Sequence, residues 1–292
     1  MTQASESYVD EIGIGSQRLR VTVQGSGPPI LLIMGFAGSL ELWSPLRRAL
    51  PGYQTIAYDA PGTGGSKPSP WPLSIGGLAR LTDRLCAALG FPTLDVVGFS
   101  FGGIVAQHLA TAYSERVGRL VLASTSTGVG SVPGFAAALR MLTVPPSTYR
   151  SRHFLKTAAN IFGGGFRDDP TTASHHLPSR EPHVRGWLHQ LIAVNTYSSL
   201  PRLPFLDQPT LVLAGDDDPL VPLINAKILT RLIPNAELEV IRGGGHMMLL
   251  ERSQEVGERI RSFLEASAHA GAGDQPPASP AGHETPVPPS PQ

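Results

Sequence analysis

One serine flanked by glycines constrains the fold of this chain more than any other feature. Leu94–Val97 reads as a short apolar strand and Phe101–Ala112 as a helix rich in small residues. Gly98-Phe99-Ser100-Phe101-Gly102 joins them. A chain that passes from strand to helix in so few residues must turn sharply. Glycine is needed where neighbouring backbone comes close, and Gly103 extends that clearance. Such a turn lifts the Ser100 hydroxyl above the sheet. It also aims the N-terminus of the next helix at the space beside the hydroxyl, which favours developing negative charge. The same residues would also suit an ordinary N-cap serine in a glycine-rich turn. The strand before it and the helix after it favour a reactive serine.

The surrounding pattern agrees with an open, mostly parallel sheet. Arg18–Gln24 reads as an edge strand, and Pro29–Met34 is continuously apolar, as a strand covered on both faces must be. Leu42–Leu50 reads as a short helix, Thr55–Tyr58 as a strand, Ser74–Leu89 as an amphipathic helix and Arg119–Ala123 as a strand. Strands resume at Thr210–Ala214 and Glu237–Ile241, and a helix over Gln254–Leu264 closes the pattern. Between Ser124 and Pro204 no strand pattern is present, and amphipathic pieces occur at Phe135–Leu142 and His183–Val194. The expected organisation is therefore an α/β core over residues 5–127 and 205–266, with a helical lid inserted at 128–204. Residues 267–292 hold seven prolines and no large aliphatic other than Val287, and read as a disordered tail.

Composition excludes several classes of function. Lys+Arg and Asp+Glu both number 23, so there is no basic excess of the kind that nucleic acid requires. A single cysteine, Cys86, leaves neither a disulfide framework nor a cysteine-rich zinc site. His153, His175, His176, His183 and His189 fall in the lid region, but their spacing fits no strong metal-ligand pattern. His108 lies two turns into the helix after Ser100 and reads as structural. No cofactor or metal is expected. The first 20 residues lack a charged start followed by an apolar run, so no secretory signal is expected. No apolar stretch approaches the ~18 residues of a transmembrane span.

A reactive serine needs a base, and the base needs an orienting carboxylate. Strand Thr210–Ala214 ends in Gly215-Asp216-Asp217-Asp218-Pro219, and strand Glu237–Ile241 ends in Arg242-Gly243-Gly244-Gly245-His246. Both loops should emerge at the sheet edge that carries Ser100. His246 is the only histidine between position 190 and the tail, which makes it the base. Three adjacent aspartates cannot all serve one imidazole. Asp218 is favoured because it lies furthest into the loop, with Asp216 as its rival. The other two are expected to face solvent or to cap the following helix. The oxyanion donors should be the backbone N–H groups of Phe101 and of Phe36, the latter in Gly35-Phe36-Ala37-Gly38. A dinucleotide loop is the rival reading of those glycines, and their spacing is not G-x-G-x-x-G.

The chain resembles the α/β-hydrolases, and within them the intracellular medium-chain-length polyhydroxyalkanoate depolymerases. The resemblance rests on LLIMGFAGSLELW at 31–43, IAYDAPGTGGS at 56–66, VVGFSFGGIVAQHLA at 96–110 and VPG at 132–134. GGGFRDDP at 163–170, QPTLVLAGDDDPLVPLINAKIL at 208–229 and IPNAELEVIRGGGH at 233–246 complete it. It covers about residues 28–264 and is most specific in GGGFRDDP and PLVPLIN. It implies a serine hydrolase of granule polyester with Ser100, Asp218 and His246 as its triad. The implied location is the cytoplasm, at storage granules. The chain departs from the family pattern with Phe101 in place of tryptophan and Met34 in place of asparagine, both beside the expected acyl site. The expected partner is a polyester granule surface or a small ester. A soluble carboxylesterase, a cofactor-free haloperoxidase-like enzyme and a non-enzymatic binding protein are the alternatives.

Overall fold

The computed structural model describes residues 8–134, 136–137, 160–168 and 183–272. Most of the amphipathic piece at Phe135–Leu142 lies outside the described residues, as do His153, His175, His176 and the chain beyond 272.

Eight strands form one sheet: β1 (Tyr8–Ile14), β2 (Gln17–Gln24), β3 (Pro29–Ile33), β4 (Gln54–Tyr58), β5 (Leu94–Phe99), β6 (Val117–Ala123), β7 (Thr210–Gly215) and β8 (Ala236–Ile241). Their order is β1-β2-β4-β3-β5-β6-β7-β8. The pairs β1–β2 and β2–β4 are antiparallel, and every later pair is parallel. This is the mostly parallel α/β sheet expected from the sequence, with helices on both faces and a helical region inserted after β6. The edge is a correction. β2 is not the outer strand, because β1 pairs with it from Tyr8↔Val23 to Ile14↔Gln17. Asp10 and Glu11 interrupt the apolar pattern of β1 and hide it in the sequence.

Strands β5 and β7 are buried at every position, Asp95 of β5 included. Alternate residues serve opposite layers. Leu31, Ile33, Val96, Leu120, Leu122 and Val212 pack with α2 (Ile75–Ala88), α3 (Phe101–Ala112) and a later helix, Ile224–Leu232. Leu32, Val97, Phe99, Val121, Leu211 and Leu213 pack on the other face with Trp43, Leu46, Val256, Ile260 and Phe263. α2 starts where Ser74 Oγ accepts from Gly77 N at 3.1 Å, an N-cap. The expected helix at 42–50 divides into a 3-10 turn, Leu40–Trp43, and α1 (Ser44–Arg48), with Pro45 in the first turn. The lid helix α4 (Val184–Asn195) matches its pattern, whereas α5 (Ile224–Leu232) lies where the sequence pattern predicts no element. The last helix, α6 (Ser253–Ala272), runs beyond 264 into residues whose composition suggests a tail.

Cys86 lies on α2 with its thiol sealed in the core, and burial pushes its pKa up to about 12. Among the described residues no helix is long and apolar enough to cross a membrane. All the loops that leave the carboxyl ends of β3, β5, β6, β7 and β8 gather at one edge of the sheet, where open α/β sheets place their sites.

Candidate active site

Ser100 occupies the joint between β5 and α3 with φ 51° and ψ −119°. A non-glycine residue held in this region costs about 1–3 kcal/mol and persists only where the surroundings impose it. Here they do. Ser100 N donates to Ala123 O at 2.9 Å, and Ser100 O accepts from Gly103 N at 2.9 Å and from Thr125 Oγ1 at 2.6 Å. The approach around it requires glycine. A β-carbon on Gly102 would sit 2.0 Å from Ile33 O, and one on Gly98 would sit 2.7 Å from the Gly103 Cα.

His246 Nε2 lies 3.0 Å from Ser100 Oγ, and His246 Nδ1 lies 2.8 Å from Asp218 Oδ2. An ionised carboxylate only accepts, so Nδ1 carries the proton and Nε2 is left to accept from the serine hydroxyl. Asp218 Oδ1 accepts from Leu220 N and Val221 N, each at 2.9 Å, which fixes the carboxylate plane. Asp218 and His246 are both almost fully buried. Two aromatic rings lie against the imidazole. Phe99 is tilted against it at 5.3 Å, and Phe162 of the lid stacks on it at 6.2 Å and 14°. The Phe162 carbonyl also accepts from His246 N at 2.6 Å.

Of the neighbouring aspartates, Asp216 faces solvent, one of the two expected outcomes, and Asp217 is only partly exposed. Asp216 is exposed, and its Oδ1 accepts from Gly243 N at 2.6 Å, tying the acid loop to the histidine loop. Asp217 faces the lid. Its Oδ2 accepts from Gly164 N at 2.9 Å, and its Oδ1 pairs with Arg167 at 2.9 Å. Neither caps a helix. The GGGFRDDP segment therefore has a local role, since its first residues fit tightly onto both loops. A β-carbon on Gly163 would lie 2.0 Å from Asp217 O, and one on Gly164 would lie 2.4 Å from Gly245 N.

Phe101 opens α3, so its N–H is among the first-turn donors that have no partner within the helix. The Gly35–Gly38 loop packs against the serine. A β-carbon on Gly35 would be 2.9 Å from Phe99 Cδ1 and 3.2 Å from Ser100 Cβ. The Phe36 and Phe101 rings meet edge to face at 6.2 Å. A cavity of about 300 Å3 opens beside Ser100. Phe36, Phe101, Ile104, Val129, Leu191 and Val194 give it an apolar lining. Asn225 holds its far wall. Val132 N donates to Asn225 Oδ1, and Asn225 Nδ2 donates to Val132 O, both at 2.8 Å.

All five residues singled out in the sequence thus belong to one sheet edge. Ser100, His246 and Asp218 form a continuous hydrogen-bonded line, and the Phe36 and Phe101 backbones border the serine. Asp216, the rival acid, is turned away from the imidazole. The contributions of Phe162, Asp217 and Asn225 are not legible in the sequence pattern. The narrow GGGFRDDP motif is the available signal for the first two. His108 Nδ1 lies 3.0 Å from Tyr197 Oη, away from the reactive line. His183 caps α4 by accepting from Arg185 N.

A strained serine, a buried imidazole and a carboxylate at the carboxyl edge of such a sheet define a serine-type hydrolase. Residues 28–253 match the family model described as the alpha/beta hydrolase fold, and the chain belongs to that family. Its class is that of the carboxylic ester hydrolases, acting on ester bonds. The chain is 40% identical over 259 residues to a poly(3-hydroxyalkanoate) depolymerase of Ectopseudomonas oleovorans, covering 87% of this chain and 91% of that protein. It is 30% identical to a pimeloyl-[acyl-carrier protein] methyl ester esterase of Xanthomonas oryzae pv. oryzae, covering 84% of this chain and 98% of the other. The bromoperoxidase structure from Bacillus anthracis superposes with a TM-score of 0.74 at 21% identity, covering 89% of this chain and 100% of that one, which is a likeness of fold.

Proposed function

We propose that Ser100 is the nucleophile, His246 the general base and Asp218 the orienting acid of an esterase that cleaves medium-chain-length poly(3-hydroxyalkanoate). The observation that carries this reading is the line Asp218–His246–Ser100, at 2.8 and 3.0 Å, opening onto an apolar cavity. His246 Nε2 takes the hydroxyl proton as Ser100 Oγ attacks the ester carbonyl. The Phe36 and Phe101 N–H groups hold the oxyanion. His246 then protonates the departing alkoxide, leaving an acyl-serine. Water, activated by the same imidazole, attacks the acyl carbon and returns Ser100 with release of the acid. Each cycle consumes one water and yields one carboxylic acid and one alcohol. On the polymer, both are the ends of 3-hydroxyacids or oligomers.

Two features support the polymer as substrate. One is the relative that bears that name at 40% identity. The other is the apolar character of the lid: Leu191 and Val194 line the cavity, while Val184, Leu188 and Ile192 are exposed along the outer face of α4. Under this reading the partner is a storage-granule surface in the cytoplasm. Residues 5–127 and 205–266 are the core and 128–204 the lid. The size of the cavity favours one second reading, hydrolysis of small acyl esters; the 30% identical relative is named for a non-polymeric ester, pimeloyl-[acyl-carrier protein] methyl ester. The test is release of 3-hydroxyacids from a medium-chain polyester suspension, beside a short-chain polyester and an aryl ester, with Ser100→Ala as control. Release from the medium-chain polymer that is lost in the variant is the expected result. Turnover of the aryl ester alone would transfer the enzyme to the small-ester reading. Activity retained by a folded Ser100→Ala protein would overturn the nucleophile.

A further inference from the structure

The loop that carries Phe36 is held in an uncomfortable conformation, and the group holding it comes from the lid. Gly38 N donates to Gly35 O at 3.1 Å, closing a β-turn with Phe36 and Ala37 at its centre. Ala37 has φ 56°, and Phe36 is not among the residues with positive φ. A turn with positive φ only at its third residue is type II, and that position favours glycine. For alanine the relaxed alternative is type I, reached by flipping the Phe36–Ala37 peptide and turning Phe36 ψ by roughly 150°. The N–H of that peptide is not free to flip. It donates to Gln190 Oε1 at 2.7 Å, a buried bond between residues 153 positions apart.

Gln190 is delivered by an anchored element. His183 N donates to Gly62 O at 3.1 Å at the start of α4, and a β-carbon on Gly186 would lie 2.3 Å from that same oxygen. Trp187 meets Phe36 edge to face at 5.8 Å. Gln190 is only 3% exposed, although it sits on a lid helix whose opposite face is apolar and open.

We propose that Gln190 is a positioning residue for ester hydrolysis: by holding the Ala37 N–H it keeps the Phe36–Ala37 turn in its type II form, and so holds in place the loop whose first peptide presents the Phe36 N–H to the oxyanion. This rests on the esterase reading and deepens it. The lid helix and the oxyanion loop become one unit, so the hole is assembled only where α4 is seated. The bond also commits the Ala37 N–H, leaving Phe36 as the donor from this turn.

The test is a double-mutant comparison on an aryl ester. Gln190→Met removes the acceptor at similar volume. Complete loss of one oxyanion donor costs about 100- to 1000-fold in kcat. A turn that spends much of its time flipped should cost about tenfold or more, with KM within about twofold. The same substitution is then made beside Ala37→Gly, where glycine favours the type II turn unaided. There the loss caused by Gln190→Met should shrink to less than about threefold. An equal loss in both backgrounds, or no loss in a folded Gln190→Met protein, would overturn the proposal. Gln190→Asn draws the acceptor back by one bond and should show a milder form of the same pattern, which serves if the methionine variant fails to fold. Independently of turnover, the Ala37 amide should be protected from hydrogen exchange and should lose at least tenfold of that protection in Gln190→Met or Gln190→Asn. Unchanged protection overturns the inference. Failure of the esterase reading itself shows elsewhere, as an ester that the unmodified protein ignores or that Ser100→Ala still cleaves.

Discussion

Asp216, Asp217 and Asp218 share one chemistry and three partners: the histidine loop, the lid and the imidazole. Substitution by asparagine should therefore separate them. Asp218→Asn keeps the shape but can donate to Nδ1, favouring the wrong tautomer, and kcat should fall by about 10⁴-fold. Asp217→Asn weakens a half-exposed pair with Arg167, so it should cost under about 1 kcal/mol of stability and only a few-fold in kcat. Asp216→Asn should stay within about 0.5 kcal/mol. Parallel measurements of aryl-ester turnover and thermal melting check this, and equal losses at all three positions would contradict it. The acid was legible to the extent that chain order and loop depth pointed to Asp218. The work of Asp217 was not, because its partners, Gly164 and Arg167, belong to a segment about 50 residues earlier.

Between elements, side-chain amides and one imidazole do the joining. Asn225, at the start of α5, satisfies both the N–H and the C=O of Val132 while being almost fully buried. Asn225→Ala would leave two backbone groups without that partner. It should cost roughly 1–3 kcal/mol and raise KM for long acyl esters as the cavity wall loosens, read from melting and from a chain-length series. His108 joins α3 to Tyr197, and a β-carbon on Gly76 of α2 would lie 3.1 Å from its Nε2. Burial, then the nearby Arg202 charge, lowers its pKa. The unfolded chain therefore binds this proton more readily than the folded one, and stability should fall as pH drops through about 6.5. His108→Gln should flatten that slope in melting curves between about pH 7.5 and 5. An unchanged slope would place the acid sensitivity elsewhere. The strands were legible because their apolar runs are periodic and uninterrupted. β1 was hidden by Asp10 and Glu11, and the extension of α6 by an alanine-rich stretch whose helix propensity outweighs its lack of large aliphatics.

Across the whole molecule, the described part of the lid is bonded to the core at several separated places, among them Gln190 on the oxyanion loop, Phe162 on the histidine loop, His183 on Gly62, Gly164 on Asp217 and Val132 on Asn225. A lid tied in this way should not melt on its own. Loss of activity, far-ultraviolet circular dichroism and tryptophan fluorescence, with Trp43 in the core and Trp187 in the lid, should share one midpoint. An earlier transition in activity and in Trp187 would show the lid to be a separate unit. The sheet order and the chain order of serine, acid and base followed from local pattern. The seating of the lid did not, since it depends on contacts between residues more than 50 positions apart.

The sealed position of Cys86 has a practical consequence. It is the sole thiol in the sequence, and its burial and raised pKa leave almost no thiolate at neutral pH. A cysteine placed at Leu188, on the open face of α4, would be the one group that a maleimide could reach on the folded protein. A fluorophore or spin label could then report the seating of the lid during turnover, against an otherwise unaltered background.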